Sequence, residues 1–182
     1  CLSDFIAGKK CGHMDHVGAF AVTTGHGIDG HVEAFEKAHD DYQAILLKAI
    51  ADRLAESFAE HLHRRMRTEF WGYAENESLS NDDLIRERYR GIRPAPGYPS
   101  CPDHREKQSL WSLLDVEAAT GISLTDSLAM WPTSSVSGFY FAHPDARYFT
   151  LGQIGSDQLQ SYADLRNEPV DESARWLSPI LG

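Results

Sequence analysis

The chain has 182 residues, of which 42% are hydrophobic and 10% aromatic, enough for the core of one domain. Its formal net charge of −10 argues against nucleic acid as a partner, because a phosphate-binding surface needs clustered Lys and Arg. The sequence contains no apolar run long enough for a membrane span and no visible signal peptide, so we expect a cytoplasmic protein without a membrane partner.

The three cysteines are odd in number and lack the spacing of a metal site; they are Cys1, Cys11 and Cys101. We expect free thiols in a reducing compartment. Because the chain starts with Cys1 rather than Met, we also expect it to be a piece of a longer polypeptide.

The N-terminal half is predicted to form a strand and a long helix. Residues 16–24 alternate partly and are rich in Val, Phe and Thr, which is typical of a strand. Asp29 is a candidate N-cap for the helix that follows. From 31 to 71 there is no Gly or Pro and apolar residues recur at helical spacing, so a helix with a bend or break is predicted. The basic run "HRRMR", residues 63–67, is expected to be a solvated face of this helix or a charge cluster at its end.

The second half of the chain is predicted to contain several short helices and strands. A short helix over 82–90, capped by Asn81, precedes a proline-rich loop at 90–104. The elements after this loop are a helix at 105–121 closed by Gly121, strands at 122–131, 135–143 and 146–154, and helices at 156–166 and 171–178. This order predicts an α+β fold, a twisted antiparallel sheet with one long helix and several shorter helices.

Metal and nucleophile motifs are missing. The closest candidate metal pairs, His61 with His63 and Cys101 with His104, have no second pair at zinc-ligand spacing. On a helix, His61 and His63 would lie about 200° apart, so we expect surface or capping histidines. There is no G-x-S-x-G and no phosphate-binding glycine loop, so a hydrolase with a histidine-rich site has little support.

The loop at 90–104 holds four of the eight prolines, and each of the four is preceded by a non-proline residue whose backbone it restricts. The prolines and their predecessors favour a stiff extended ribbon with few internal hydrogen bonds. Arg93 offers a fork for a carboxylate or phosphate, Gly97 permits close approach to the backbone, and Tyr98 offers a ring and a hydroxyl. Both a small-molecule pocket and a rigid surface linker are consistent with this composition.

Glu56 lies between Ile45 and Ala49 on a helical wheel, within the predicted inward apolar stripe of the long helix. A carboxylate at such a position needs a partner. It is either an ion-pair member at the edge of the stripe or, together with Arg93, part of a site for a ligand with a positive and a negative group.

Three segments carry a family resemblance: "RGIRPAPGYPSCPDHREK" (90–107), "HDDYQAILLKAIADRLAESFAEHLH" (39–63) and "SVSGFYFAHPDARYF" (135–149). The chain closely resembles the C-terminal activation domain of cobalamin-dependent methionine synthase, with the R-x-x-x-G-Y loop as the most specific feature. The resemblance implies an S-adenosylmethionine-binding domain that supports reductive methylation of cobalamin in the Co(II) state. It also implies a flavodoxin, or a similar reductase, as the electron donor.

The resemblance also implies the ligand residues. Arg93 corresponds to the arginine that holds the ligand's carboxylate, and Glu56 to an acidic residue on the long helix close to the ligand. The remaining implied positions are Ala95, Gly97 and Tyr98 along the loop and the aromatic pair Tyr148 and Phe149 at the adenosine side. Tyr98 is further expected to face the cobalamin, the alternative being a tyrosine stacked in the core.

The chain departs from the family in length. The family domain is longer at its N-terminus and carries there an aspartate that helps to bind the ligand, so residues 1–182 are expected to be the C-terminal portion of such a domain, with the N-terminal part missing. The modules that bind cobalamin, zinc with homocysteine, and folate are also absent, so we expect no turnover of methionine by this chain alone. An alternative is a docking module for flavodoxin and the cobalamin-binding module, with weakened ligand binding.

Overall fold

The computed structural model describes all 182 residues and contains seven α-helices and four short strands. The helices are α1 Ile28–Lys37, α2 Asp41–Arg65, α3 Asn81–Ile85, α4 Glu106–Leu114, α5 Val116–Thr120, α6 Ser156–Arg166 and α7 Val170–Leu177. The strands are β1 Gly18–Thr23, β2 Ser123–Leu124, β3 Met130–Trp131 and β4 Ser135–Tyr140. Short 3-10 helices cover Leu2–Phe5 and Ser178–Ile180, and a π-helical turn covers Met66–Phe70. No helix is long and apolar enough to cross a membrane.

The strands form two small antiparallel ladders, β1 with β4 and β2 with β3. The predicted strand over 146–154 is wrong, since only Ile154 makes a bridge there. The edge of β4 that such a strand would use is occupied instead by the proline-rich loop: Ile92 bridges to Phe141, and the Phe139 N–H donates to the Pro94 carbonyl.

The β1–β4 ladder lies between two helical layers. Phe20, Val22 and Tyr140 on one face pack towards α2. The opposite face packs on α4 and α5 around Leu110 and Val116. This alternation follows from the two-residue period of a strand, which sends successive side chains to opposite faces.

The long helix is broken, as expected, and the break lies between α1 and α2. His39 has a φ of 56°, in the left-handed region, and the Asp40 carboxylate accepts from the Gln43 N–H to cap α2. The predicted N-cap is wrong: Gly27 precedes α1, and Asp29 lies in its first turn.

Apart from His63, the buried residues of α2 are small alanines and not the predicted large apolar stripe. Ala44, Ala51, Ala55 and Ala59 are all less than 5% exposed. The large apolar side chains, which we call the exposed stripe, are between 37% and 72% exposed; they are Tyr42, Ile45, Leu46, Ile50, Leu54 and Phe58. Helical periodicity therefore predicted the helix correctly but its inward face incorrectly, because alanines allow the helix to approach the sheet closely.

The basic run at 63–67 lies at the C-terminal end of α2, as the helix-end alternative predicts, and Arg64 is exposed, but His63 is not a surface histidine. The His63 and Arg67 side chains are completely buried. The Arg67 guanidinium forms a bidentate ion pair with Glu77, with Nη2 2.7 Å from Oε1. The His63 ring stacks on Tyr140 with 5.2 Å between the centroids. Partners outside the run 63–67 thus offset the free-energy cost of burying these two polar side chains.

The shorter helices differ from prediction mainly at their ends. The helix predicted at 105–121 is two helices, because Asp115 takes a left-handed φ of 49° between them. Gly121 closes α5 as predicted. The short helix α3 is capped by Ser80 rather than by Asn81, since the Ser80 hydroxyl accepts from the Asp83 N–H.

Candidate functional site

A cavity of about 650 Å³ lies between α2, the proline-rich loop, the start of β4 and the segment 148–150. Six of the seven predicted ligand residues line it: Glu56, Arg93, Ala95, Tyr98, Tyr148 and Phe149. Gly97 does not line it. The lining also includes residues that sequence reasoning missed, among them Asp52, Glu87 and Ser134.

The proline-rich loop is held against the outer edge of β4. The Phe139 N–H donates to the Pro94 carbonyl over 3.0 Å. Gly138 permits this approach, because a Cβ at that position would lie 2.7 Å from the same oxygen. The loop therefore behaves as a third strand at its start, and its later residues are free to border the cavity.

The predicted ribbon with few internal hydrogen bonds is wrong at the tip of the loop, where most N–H groups donate to carbonyls of the loop itself. The Gly97 N–H donates to the Cys101 carbonyl over 2.7 Å, and the Tyr98 N–H donates to the Ala95 carbonyl over 3.2 Å. The Ala95 N–H has no acceptor within the protein and lies beside the cavity. Ala95 therefore offers the backbone donor that a ligand could use.

Gly97 supports the loop by packing against the His104 ring, outside the cavity lining. Its φ of 96° is unfavourable for residues with a side chain, and a Cβ there would collide with the His104 ring. That ring is held in turn by Lys107, whose Nζ lies 2.9 Å from His104 Nδ1. The contact between Gly97 and His104 fixes the backbone at Gly97 and therefore the position of the next residue, Tyr98.

Arg93 is anchored by one edge of its guanidinium. Nη1 lies 2.8 Å from the Oε2 atom of Glu60 and donates to the Tyr89 hydroxyl over 3.0 Å. It also lies 3.2 Å from His63 Nδ1. Neither Nε nor Nη2 has a protein acceptor, so this second edge is available to a ligand in the cavity. Burial alone would lower the pKa of Arg93, but Tyr89, Tyr148 and Glu60 hold the pKa above its ordinary value, so the charge is permanent.

His63 is a neutral acceptor for this arginine. Burial, followed by the charges of Arg67 and Arg93, lowers the pKa of His63 to about 2. With Nδ1 accepting from Arg93, the proton belongs on Nε2, which faces the Tyr73 hydroxyl at 3.5 Å.

Glu56 borders the cavity and also forms an ion pair with Arg53, with 2.6 Å between Oε2 and Nη1. Both side chains are more than half exposed, so the pair is weak and leaves the carboxylate accessible. The two sequence-based alternatives for Glu56 are thus compatible.

Two further carboxylates make the cavity acidic. Asp52 lies one helical turn before Glu56 and accepts from the Ser134 hydroxyl over 2.6 Å. Its i,i+4 spacing from Glu56 is the signal that could have identified it. Glu87 adds a third carboxylate, for which the sequence has no comparable signal. Three carboxylates around one arginine suit a ligand that has a carboxylate and a cationic centre.

The aromatic residues of the site lie at its rim and wall. The Tyr98 side chain is 65% exposed, so the alternative of a tyrosine stacked in the core is wrong. The Tyr148 hydroxyl accepts from the Arg93 N–H over 3.0 Å, which fixes its ring beside the cavity. The Phe149 ring packs near Phe5, with 6.5 Å between the centroids.

Fold and cavity together define an α+β domain with a cavity lined by charged and aromatic residues. Residues 1–167 match the family described as vitamin B12-dependent methionine synthase, activation domain, and the chain belongs to this family. It is also similar to a crystal structure described as the MetH reactivation domain bound to AdoHcy, with 58% sequence identity and a TM-score of 0.96. The match covers all of this chain and 56% of that chain, so this chain spans little more than half of the relative's length. The resemblance and the α+β fold are confirmed.

Proposed function

We propose that the cavity binds S-adenosylmethionine and its demethylated product, S-adenosylhomocysteine. The observation that carries the proposal is Arg93, a permanently charged residue that lines the cavity and whose Nε and Nη2 have no protein acceptor. A carboxylate pairs with these two nitrogens in a bidentate geometry. Glu56 and the neighbouring carboxylates provide the negative potential that an ammonium and a sulfonium group need. The AdoHcy in the similar reactivation domain supports this ligand class.

The adenosine would lie on the aromatic side of the cavity. Tyr148 and Phe149 supply ring surfaces there, and the Ala95 N–H is a free donor for a ring nitrogen. Gly97 acts indirectly, by allowing the loop to rest on His104.

We further propose that the chain is the reactivation module of a cobalamin-dependent methionine synthase, the methyltransferase that transfers methyl from 5-methyltetrahydrofolate to homocysteine in methionine biosynthesis. S-Adenosylmethionine supplies the methyl group for reductive methylation of cobalamin, and a flavodoxin or similar reductase supplies the electron. Cobalamin and zinc belong to other modules, so this chain alone is not expected to be catalytic. Three unpaired cysteines agree with a cytoplasmic location.

The exposed stripe of α2 supports the proposal that residues 1–182 are the C-terminal portion of an activation domain. Six large apolar side chains on one helix are costly to leave in water, and the similar reactivation domain contains a further 44% of chain outside the match (100 − 56). We propose that the corresponding polypeptide covers this stripe. Leu54→Gln should then destabilise a protein that contains this polypeptide and leave residues 1–182 nearly unchanged; equal effects in both would contradict the proposal.

Tyr98 is proposed to face the cobalamin during reactivation. It is exposed at the rim of the cavity, and its backbone is fixed between Gly97 and Pro99. Methyl transfer requires the donor and acceptor atoms to approach along one line, so the loop that holds the ligand must also meet the corrin. In the complete enzyme, Tyr98→Phe should keep S-adenosylmethionine affinity within a few-fold and change the visible spectrum or the reactivation rate. Wild-type spectra and rates in both Tyr98→Phe and Tyr98→Ala would refute this.

The ligand proposal is tested by calorimetric titration of the full-length protein with S-adenosylmethionine. Arg93→Ala should weaken binding by roughly 10- to 150-fold, the value of a charged hydrogen bond of about 1.5–3 kcal/mol. Arg93→Lys should restore only part of the affinity, because lysine lacks the planar fork. Normal binding by Arg93→Ala would refute the assignment. Absence of binding by the wild-type protein would favour the alternative of a docking module, for which the exposed Tyr98 and the exposed stripe are the supporting surfaces.

A further inference from the structure

Arg93 is the last member of a series of alternating charges, which we call the charge ladder: Glu77, Arg67, Glu60 and Arg93. Glu77 and Arg67 form the bidentate pair described above. The Oε1 atom of Glu60 lies 3.8 Å from Arg67 Nη1, and its Oε2 atom lies 2.8 Å from Arg93 Nη1. The ladder thus connects the 72–77 segment to the cavity.

The charge ladder is largely shielded from water, and its two arginines pack on one aromatic ring. The Arg67 side chain is fully buried, and Glu60 is 24% exposed. The guanidinium carbons of Arg67 and Arg93 lie 4.4 Å and 5.8 Å from the centroid of the Tyr89 ring. Arg93 has few alternative orientations in such surroundings.

Glu60 contacts only one edge of the Arg93 guanidinium. Because Glu60 contacts Nη1, both Nε and Nη2 remain without a protein acceptor in a side chain that lines the cavity. Glu60 does not line the cavity itself, so its contact with the site is through Arg93.

We propose that Glu60 is a positioning residue that orients Arg93 for a ligand carboxylate and so makes the site selective for adenosyl ligands that carry an amino-acid group. The inference rests on the proposed function of the cavity. A merely structural Glu60 would stabilise the fold and affect all ligands alike.

The test compares two ligands of the full-length protein by calorimetry: S-adenosylhomocysteine, which has the carboxylate, and 5′-methylthioadenosine, which lacks it. Glu60→Gln should weaken S-adenosylhomocysteine binding at least threefold, roughly the lower range of coupling within one hydrogen-bond network. It should leave 5′-methylthioadenosine binding within about twofold, because that ligand does not use Arg93. Glu60→Asp keeps the charge but not the reach, and it should show the same selective loss. The matched control is Glu69→Gln, which breaks an exposed pair with Arg65 and should change neither affinity.

A double variant separates this inference from the proposed function. With Arg93→Ala already present, Glu60→Gln should cause no further loss of S-adenosylhomocysteine affinity. If Arg93→Ala itself leaves the affinity unchanged, the proposed function fails. If Arg93→Ala weakens binding while Glu60→Gln lowers both ligands equally, or raises S-adenosylhomocysteine affinity by removing a competing charge, the positioning role is overturned.

Discussion

Replacing Gly97 by alanine is expected to destabilise the proline-rich loop where it packs against His104. The φ of 96° at this position is outside the regions that residues with a Cβ prefer, and such strain costs about 1–3 kcal/mol. In addition, the new Cβ would lie 2.7 Å from His104 Nε2, and overpacking of this kind costs about 1–3 kcal/mol. The expected loss in the free energy of unfolding is therefore about 2–6 kcal/mol, unless the His104 ring moves.

Two further variants divide this loss into its parts. Gly12→Ala introduces a Cβ at a φ of 76° with no atom within 4 Å, so it measures backbone strain alone. Gly97→Ala combined with His104→Ala removes the collision and should recover the packing part. Urea denaturation with a constant m-value gives the free energies. A loss in Gly97→Ala no larger than that in Gly12→Ala, or no recovery in the double variant, would show that the contact with His104 does not support the loop.

The remaining predictions concern the buried histidine beside Arg93 and the acidic side of the cavity. Because the pKa of His63 falls from 6.5 to about 2 on folding, the unfolded state binds more protons and stability should decrease as the pH falls below about 6.5. Between pH 6.5 and pH 5, wild type should lose about 1.5 kcal/mol more than His63→Gln, since the slope approaches about 1.4 kcal/mol per pH unit only once the unfolded histidine is fully protonated, and parallel urea curves without this difference would contradict a neutral buried ring. Glu56→Gln should lower S-adenosylmethionine affinity more than S-adenosylhomocysteine affinity, because only the former carries a sulfonium charge. Arg53→Gln breaks the same ion pair outside the cavity and should leave both affinities unchanged; a matching loss there would attribute the effect to the pair rather than to the ligand.

The proline-rich loop was predictable from the sequence because its constraints are local. Prolines fix their own φ and restrict the preceding residue, so the extended start of the loop, along β4 at Ile92 and Pro94, follows from composition alone, whereas the hydrogen-bonded turn at 95–101 does not. Arg93 and Tyr98 within it were identifiable for the same reason, as isolated functional groups on a stiff segment. The family resemblance then supplied Tyr148 and Phe149, whose position beside the loop depends on the tertiary fold.

Residues that depend on distant partners were not predictable. The burial of His63 and Arg67 is compensated by Tyr140 and Glu77, and nothing in the local sequence "HRRMR" indicates these partners. The inward face of α2 was missed because burial there selects small alanines, whereas hydrophobicity scales favour the larger residues of the exposed stripe. Glu60 was missed because its partner, Arg93, lies far along the chain.

The most direct test of the central claim is a crystal structure of the full-length protein with S-adenosylhomocysteine. We predict that the ligand's carboxylate lies within hydrogen-bond distance of Arg93 Nε and Nη2, with Nη1 still on Glu60 and the adenosine beside Tyr148 and Phe149. A ligand bound outside this cavity, or one whose carboxylate has no contact with Arg93, would contradict the account.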